Sequence, residues 1–136
     1  MACFIVPTAE AVAVAVVRKL VVKKELESGK AKEVDGAIVA AEPGAILLSR
    51  KIMWLLNLLL GGAILLAVEH IWHGEVVPWP PFLTAMRSAA DTRAMLFEMA
   101  TTGVGMAVLV TAVWFVATLV ADRLVARSVA SVALND

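Results

Sequence analysis

Both histidines of this chain lie in one short stretch, EHIWHGE, together with two glutamates. The stretch places Glu69, His70, His73 and Glu75 directly after a long apolar run. On a helix, residues three or four positions apart lie on the same face, so Glu69, His70 and His73 can point at one position. Imidazoles and carboxylates together are ligands for a transition metal ion, with zinc or iron as the first candidates.

Two carboxylates from other parts of the sequence can join this cluster. Glu10 lies in the first apolar segment, and Glu98 lies between Phe97 and Met99 at the start of the last one. An acid near the edge of a bilayer is costly and usually faces the interior of a helix bundle, with a partner. The sequence therefore predicts an outer-leaflet metal site formed by Glu69, His70, His73 and Glu98, with Glu10 as a possible fifth group.

Other functions fit the same residues. His70 is a candidate axial ligand for haem, which would make the chain an anchor subunit of a membrane redox complex. Glu10 and Glu98 could instead line the path of a proton- or cation-conducting oligomer. A polar network that only joins helix ends is the third alternative. The role of a metal site could be catalytic, sensory or related to transport, so whether the chain is an enzyme stays open.

Composition indicates the class of protein in which these residues must be placed. The chain has 136 residues, of which 61% are hydrophobic and 18% charged, and its mean hydropathy is +0.87. Soluble domains are nearer half apolar, so the composition predicts an integral membrane protein. Net charge is zero, which gives no support to nucleic-acid binding. The single cysteine, Cys3, excludes an intrachain disulfide.

Three apolar segments predict an all-α bundle of three transmembrane helices. Residues 52–68 and 99–121 are uncharged, and the predicted spans are 52–72 and 95–121. The first span, 3–22, is less certain, because its apolar part of about 24 Å is short for a bilayer core of about 30 Å. Residues 3–22 could therefore form a re-entrant or interfacial helix instead.

Basic residues predict the orientation of this single membrane domain. Eight of the twelve Lys and Arg fall in 18–51, two follow the last span, and two lie in the 69–98 connection. The positive-inside rule then makes the 23–51 connection and the 122–136 tail cytoplasmic. The 73–91 loop, rich in Pro and Trp, would lie outside and cover the histidines. Three spans bury little surface, so we expect a homo-oligomer or a partner membrane subunit within the lipid bilayer.

Finer features complete the expected bundle. Asp91 or Thr92 can cap the last helix, since either side chain accepts hydrogen bonds from free backbone N–H groups. The glycines of GGA at 61–63 and of GVG at 103–105, among them Gly62 and Gly105, are expected to let neighbouring helices approach closely. Gly29 is expected to end the first helix. Three methionines on the last helix (Met95, Met99 and Met106) predict either packing or Cu(I) ligation.

Overall fold

The chain is mostly helical in its computed structural model, which has 74% of its residues in helices. The structure describes residues 2–42 and 44–133. Pro43 and the last three residues of the predicted tail lie outside that range. The helices are α1 (Ile5–Glu27), α2 (Leu48–Trp72), α3 (Ala89–Glu98), a π-helical turn (Met99–Gly103) and α4 (Val104–Ala133). A short 3₁₀ turn, Thr84–Arg87, precedes α3.

The connection between α1 and α2 contains a β-hairpin that the sequence analysis did not predict. β1 (Ala31–Val34) pairs with β2 (Ala37–Ala40) in antiparallel register. Asp35 and Gly36, which join the strands, have φ angles of 50° and 77°. Two positive φ angles in a two-residue loop define the hairpin turn for which Asp-Gly is preferred. The all-α prediction is therefore wrong for this connection, and the Asp-Gly pair was the local signal for it.

α1, α2 and α4 pack against one another, and their contact forms the larger apolar core. Ala11, Leu55 and Leu59 are buried there, with Val110 and Trp114 packed against them. Leu59 is completely buried. This core separates two polar ends. The histidine end comprises residues 2–4, the last turn of α2, the 73–88 connection and α3. The hairpin end comprises β1, β2 and the adjoining ends of α1, α2 and α4.

The last helical segment begins earlier than predicted. α3 starts at Ala89, and its N-cap is Ser88, whose Oγ accepts a hydrogen bond from Asp91 N at 3.0 Å. The prediction of Asp91 or Thr92 as the cap is therefore wrong, since serine's short side chain already satisfies the free N–H group. Asp91 supports the same cap, because the Ser88 hydroxyl donates to its Oδ2 at 2.6 Å.

Close helix contact occurs at Gly103, one of the expected glycines, and not at Gly62 or Gly105. A Cβ added at Gly62 or Gly105 would meet no atom within 4 Å, so the predicted close contacts at these two positions are wrong. At Gly103 a Cβ would lie 2.9 Å from Val6 Cγ2 and 3.2 Å from the carbonyl oxygen of Cys3. Gly103 closes the π-helical turn. The absence of a side chain there lets the start of α1 lie directly against this turn.

Within the described residues, two helical segments are long and apolar enough to cross a membrane, Leu48–Trp72 and Ala89–Val132. α1 is not one of them, because Glu10 interrupts its apolar stretch and Arg18 and Lys19 end it. Of the predicted three-span bundle, a mostly helical chain and two candidate spans are thus confirmed, and a third span is not. α1 ends at Glu27, and Gly29 follows with a φ of 71°, as expected of that glycine.

Candidate functional site

His70 lies in the last turn of α2 and is buried. Its Nδ1 is 2.7 Å from the carbonyl oxygen of Leu66, one helical turn earlier. A carbonyl oxygen can only accept a hydrogen bond, so Nδ1 carries the proton and donates it. In the neutral ring Nε2 then has a free lone pair. Histidines that bind metals are commonly oriented in this way, with one ring nitrogen donating to a carbonyl oxygen.

The second ring nitrogen of His70 faces a carboxylate without bonding to it. Among the described residues, His70 Nε2 is buried and has no hydrogen-bond partner. Glu75 Oε2 lies 3.7 Å from it, which is longer than the 2.7–3.2 Å typical of an N–H···O hydrogen bond. The ring of Phe4 packs edge-on against the imidazole, with 5.6 Å between the ring centroids. A buried polar atom without a partner is costly and calls for an explanation.

Glu75 reaches this position because of how α2 ends. Gly74 has a φ of 70°, and its N–H donates to the carbonyl oxygen of Ile71. The Glu75 N–H donates to the carbonyl oxygen of His70 at 2.9 Å. This pair of hydrogen bonds is the Schellman motif, in which glycine adopts the left-handed conformation. The chain therefore turns back at Gly74, and Glu75 returns to the level of His70.

The 73–88 connection holds Glu75 from the other side. Thr84 donates to the carbonyl oxygen of Glu75 twice, from its N–H at 3.0 Å and from its hydroxyl at 3.2 Å. Val77 N–H donates to the carbonyl oxygen of Phe82, and Val76 pairs with Leu83 in an antiparallel bridge. The loop is thus closed on itself, with Glu75 at its base. Its three prolines are compatible with this shape because a loop does not need their missing N–H groups.

A cavity of about 420 Å³ adjoins this pair. It brings together residues from α2, the loop, the N-terminal segment, the π-helical turn and α4: Cys3, Leu66, Glu69, His70, His73, Glu75, Thr102 and Met106. Three of the five predicted site residues are among them. His73 and Glu69 are exposed, and His73 Nδ1 lies 2.9 Å from the carbonyl oxygen of Glu69. His73 therefore also keeps its Nε2 lone pair available.

The other two predicted site residues do not line this cavity. Glu10 Oε1 accepts a hydrogen bond from the Thr111 hydroxyl at 2.7 Å. Both residues line a separate, mostly apolar cavity of about 570 Å³ between α1 and α4. Glu98 is half-buried, and its carbonyl oxygen accepts a hydrogen bond from the Cys3 thiol at 3.9 Å. The structure thus brings Glu69, His70 and His73 together but keeps Glu10 and Glu98 outside their cavity.

A π-helical turn separates Glu98, which does not line the histidine cavity, from the expected helical stripe that it would share with Thr102, which does. Counting 3.6 residues per turn places both on one stripe of a continuous α-helix. Residues 99–103 form a π-helix, whose wider turn rotates the residues that follow relative to those that precede. Thr102 lies within this turn and lines the histidine cavity, whereas Glu98 precedes the turn and does not line it. Two of the three methionines, Met95 and Met99, pack in the apolar cluster at the histidine end, and Met106 lines the cavity.

The predicted metal site did not include Glu75, Cys3 or Met106. Glu75 could have been found from Gly74, since a glycine after a helix signals a chain reversal. Cys3 and Met106 belong to segments distant in sequence, and no local pattern connects them to the histidines. Among the described residues, no group of three or more His, Cys, Asp or Glu is arranged to hold a metal ion. His70 and Glu75 form a facing pair.

Comparisons with family models, with curated proteins and with solved structures find no match for this chain.

Proposed function

We propose that this chain is a small integral membrane protein that binds a transition metal ion at its histidine end. The observation that carries the proposal is the geometry of His70 and Glu75. A metal ion bonds an imidazole nitrogen at about 2.0–2.1 Å and a carboxylate oxygen at about 2.0–2.2 Å. At a tetrahedral angle two such ligand atoms lie about 3.3–3.5 Å apart. The 3.7 Å between His70 Nε2 and Glu75 Oε2 is close to that separation and too long for a hydrogen bond.

Charge and proton placement support the same proposal. The hydrogen bond of His70 Nδ1 to Leu66 directs the Nε2 lone pair toward the Glu75 carboxylate. A cation between them would satisfy a buried nitrogen that lacks a hydrogen-bond partner among the described residues. His73 and Glu69 line the same cavity and are exposed, so their side chains are free to reorient toward a bound ion.

The membrane part of the proposal is supported by apolar surface that the fold leaves uncovered. In the most apolar 18-residue stretch of α2, only 22% of the residues are buried. In the corresponding stretch of the Ala89–Val132 segment, only 11% are buried. The core helix of a soluble protein would be mostly buried. Leu65 and Phe97 are examples of large side chains that remain exposed. A bilayer would cover this surface, whereas in water it would form a large apolar patch.

In this proposal α1 is the third span, since it packs along both α2 and α4. The positive-inside rule then places the hairpin end in the cytoplasm and the histidine end outside. The apolar surface of α4 is available for a second copy or a partner subunit.

A second candidate function is a proton relay without metal. It is favoured by the finding that, among the described residues, no third ligand is already in place beside the pair. An imidazole and a carboxylate that face each other can exchange a proton through a small movement or a water molecule. Proton flux into liposomes would then fall in both His70→Ala and Glu75→Gln. Equal flux from these variants and the original chain would exclude the relay.

Elemental analysis of the detergent-purified protein tests the metal proposal. The affinity tag should contain no histidine and be removed, because a His-tag carries metal itself. We expect about one ion per chain in the original protein and less than about one tenth in His70→Ala, because a ligand is lost. Glu10→Gln is the matched control, since Glu10 lies on the separate cavity. A metal-free protein, or full metal retention in His70→Ala, would contradict the proposal.

A visible absorption spectrum of the same sample tests the haem alternative, which stays a prediction. A Soret band that disappears in His70→Ala would favour haem. A colourless sample with stoichiometric zinc would favour the site proposed above.

A further inference from the structure

The cavity between α1 and α4 has the size and lining of a site for a small organic molecule. Its volume of about 570 Å³ lies within the range of about 300–1,000 Å³ that is typical of such sites. Seven of the nine described residues that line it are apolar, among them Trp114 and Phe115. The other two are Glu10 and Thr111, so Glu10 is the only ionisable group in the described lining.

Glu10 lies at the level of the middle of the last apolar segment. Its Oε1 accepts a hydrogen bond from the Thr111 hydroxyl at 2.7 Å. Thr111 stands twelve residues after the start and ten before the end of the uncharged stretch 99–121. At a rise of about 1.5 Å per residue these separations are about 15–18 Å, close to half of a bilayer core of about 30 Å. In the proposed membrane protein the Glu10 carboxylate is therefore near the middle of the bilayer.

No basic side chain neutralises this carboxylate within the part of the chain that the structure describes. Glu10 forms no ion pair there. The first basic residue on α1 is Arg18, which is eight residues, or about 12 Å, further along the helix. An acid inside a membrane is costly, and it commonly pairs with a cation or lies on the path of one. Glu10 is half-buried and lines the cavity, so a ligand in the cavity can contact it.

The aromatic side chains of the cavity suit a cationic ligand as well. Trp114 Nε1 donates to the carbonyl oxygen of Lys51 at 2.7 Å, and this hydrogen bond holds the indole in place at the cavity. Phe115 is the next residue and is exposed. Aromatic ring faces attract cations, including quaternary ammonium groups that cannot donate a hydrogen bond. A neutral acyl chain would fill the apolar space but would leave the carboxylate without a countercharge, so charge complementarity favours a cation.

We infer that the cavity between α1 and α4 binds a lipophilic organic cation, such as a quaternary ammonium or phosphonium ion with aromatic groups. Glu10 supplies the countercharge, and the Thr111 hydroxyl orients the Glu10 carboxylate. Trp114 and Phe115 contact the organic groups of the ligand. The inference rests on the membrane part of the proposed function. It is independent of the metal site, because the two cavities have no described lining residue in common.

Binding of tetraphenylphosphonium to the detergent-purified full chain tests this inference. Equilibrium dialysis in a buffer with a metal chelator measures the binding, and empty micelles give the background. We expect saturable binding of about one cation per chain. Tetraphenylborate is the matched probe, because it has nearly the same shape and the opposite charge, and it should bind at least about ten-fold more weakly. Equal affinity for the two ions would overturn the inference, since the cavity would then accept apolar molecules of either charge.

Variants test which residues form the cation site. Glu10→Gln should lower the affinity for tetraphenylphosphonium by at least about ten-fold, because the countercharge is lost. Glu27→Gln is the matched control, since Glu27 lies on the same helix, pairs with Lys23 and does not line the cavity; its affinity should equal that of the original chain. Unchanged affinity in Glu10→Gln would contradict the inference.

A variant that leaves Glu10 in place gives the same test if Glu10→Gln does not fold. Val108 lines the cavity and is 62% exposed, so the larger side chain of Val108→Trp fills the cavity without entering a packed core. Binding of tetraphenylphosphonium should be lost in this variant. Full affinity in Val108→Trp would mean that the cation binds elsewhere and would overturn the inference.

The remaining outcomes separate this inference from the proposed function. Absence of saturable binding in the original chain would overturn the cation site, and a dimer that Val108→Trp dissociates would then assign the cavity to a second copy. Flotation with liposomes tests the membrane part, which fails together with this inference if the chain stays in the aqueous fraction. A metal-free protein that still binds tetraphenylphosphonium through Glu10 would remove the metal site and support the cation site.

Discussion

The two polar ends of the molecule differ in how their charged groups meet. At the hairpin end, Lys51 Nζ lies 2.7 Å from the carboxylate of Asp122, and Trp114 Nε1 donates to the carbonyl oxygen of Lys51 at 2.7 Å. At the histidine end, the imidazole of His70 and the carboxylate of Glu75 stand 3.7 Å apart. Direct contact at one end joins α2 to α4. Separation at the other end is the observation on which the proposed metal site rests.

The hairpin end also contains a buried carboxylate, that of Glu25. Its surroundings show why a buried carboxylate alone does not form a metal site. Glu25 Oε1 accepts a hydrogen bond from Ser49 N at 3.2 Å, so the carboxylate caps the first turn of α2. Its other oxygen has no hydrogen-bond partner among the described residues. The cavity of about 520 Å³ beside it is lined by Lys30 and Glu42 but by no described His, Cys or Met. A metal ion would find oxygen ligands there and a competing ammonium group.

The core that joins the two ends should give the largest change in stability. Leu59→Ala removes a completely buried side chain between α1 and α2, so we expect the free energy of unfolding to fall by about 2–5 kcal/mol. Unfolding in mixed detergent micelles measures the change. Leu58→Ala is the matched control, because Leu58 is 47% exposed and loses few protein contacts. Equal losses in the two variants would mean that the helices do not pack at Leu59.

Gly103 tests whether close approach of α1 holds the histidine end together. Gly103→Ala places a Cβ 2.9 Å from Val6 Cγ2, and this crowding should lower the free energy of unfolding by about 1–3 kcal/mol. It should also lower the metal content of the protein, because the N-terminal segment that borders the histidine cavity would be displaced. Gly105→Ala has open space and should be neutral or stabilising by up to about 1 kcal/mol. If Gly103→Ala and Gly105→Ala had the same free energy of unfolding, the start of α1 would not lie against the π-helical turn.

The ion pair at the hairpin end should contribute to stability and not to metal binding. A double-mutant cycle with Lys51→Met and Asp122→Asn should give a coupling free energy of about 0.5–1 kcal/mol, since Asp122 is partly exposed and the pair is screened by solvent. Metal content should not change in any of the three variants. A loss of metal in these variants would mean that the two ends are coupled through α2, contrary to the comparison above.

The smallest effect is expected at Glu10. Glu10→Gln keeps an oxygen that can accept a hydrogen bond from the Thr111 hydroxyl. The free energy of unfolding should therefore change by no more than about 1 kcal/mol. Metal affinity should stay within about two-fold of the original, because that side chain lines another cavity. A loss of more than about ten-fold in metal affinity would return Glu10 to the site, as the sequence analysis expected.

Much of the helical fold was predictable because apolar segments of this length have few alternatives. The sequence predicted helices over 52–72 and 95–121, and the structure has α2 at Leu48–Trp72 and the last helical segment from Ala89 onward. The start of that segment was missed because Ser88 caps it through a local hydrogen bond. The hairpin was missed because its strands are four residues each and give no clear alternation.

The candidate site was predictable only where its residues are close in sequence. Glu69, His70 and His73 share a turn of α2, so helical spacing was enough to group them. Glu98 was assigned from its position near the edge of the bilayer, and the structure leaves it outside the cavity that Thr102 lines. Glu10 was assigned from membrane depth alone, which does not determine the direction in which a side chain points.

By itself the sequence determined that the chain is apolar and helical and that its two histidines share a helix end with carboxylates. Those properties follow from composition and from spacing within one turn. Only the tertiary structure decided that Glu75 faces His70, that Cys3 and Met106 border the same cavity, and that Gly103 rather than Gly105 contacts a neighbouring helix closely. These contacts join segments up to about a hundred residues apart, and such contacts depend on how helices pack, which local patterns do not encode.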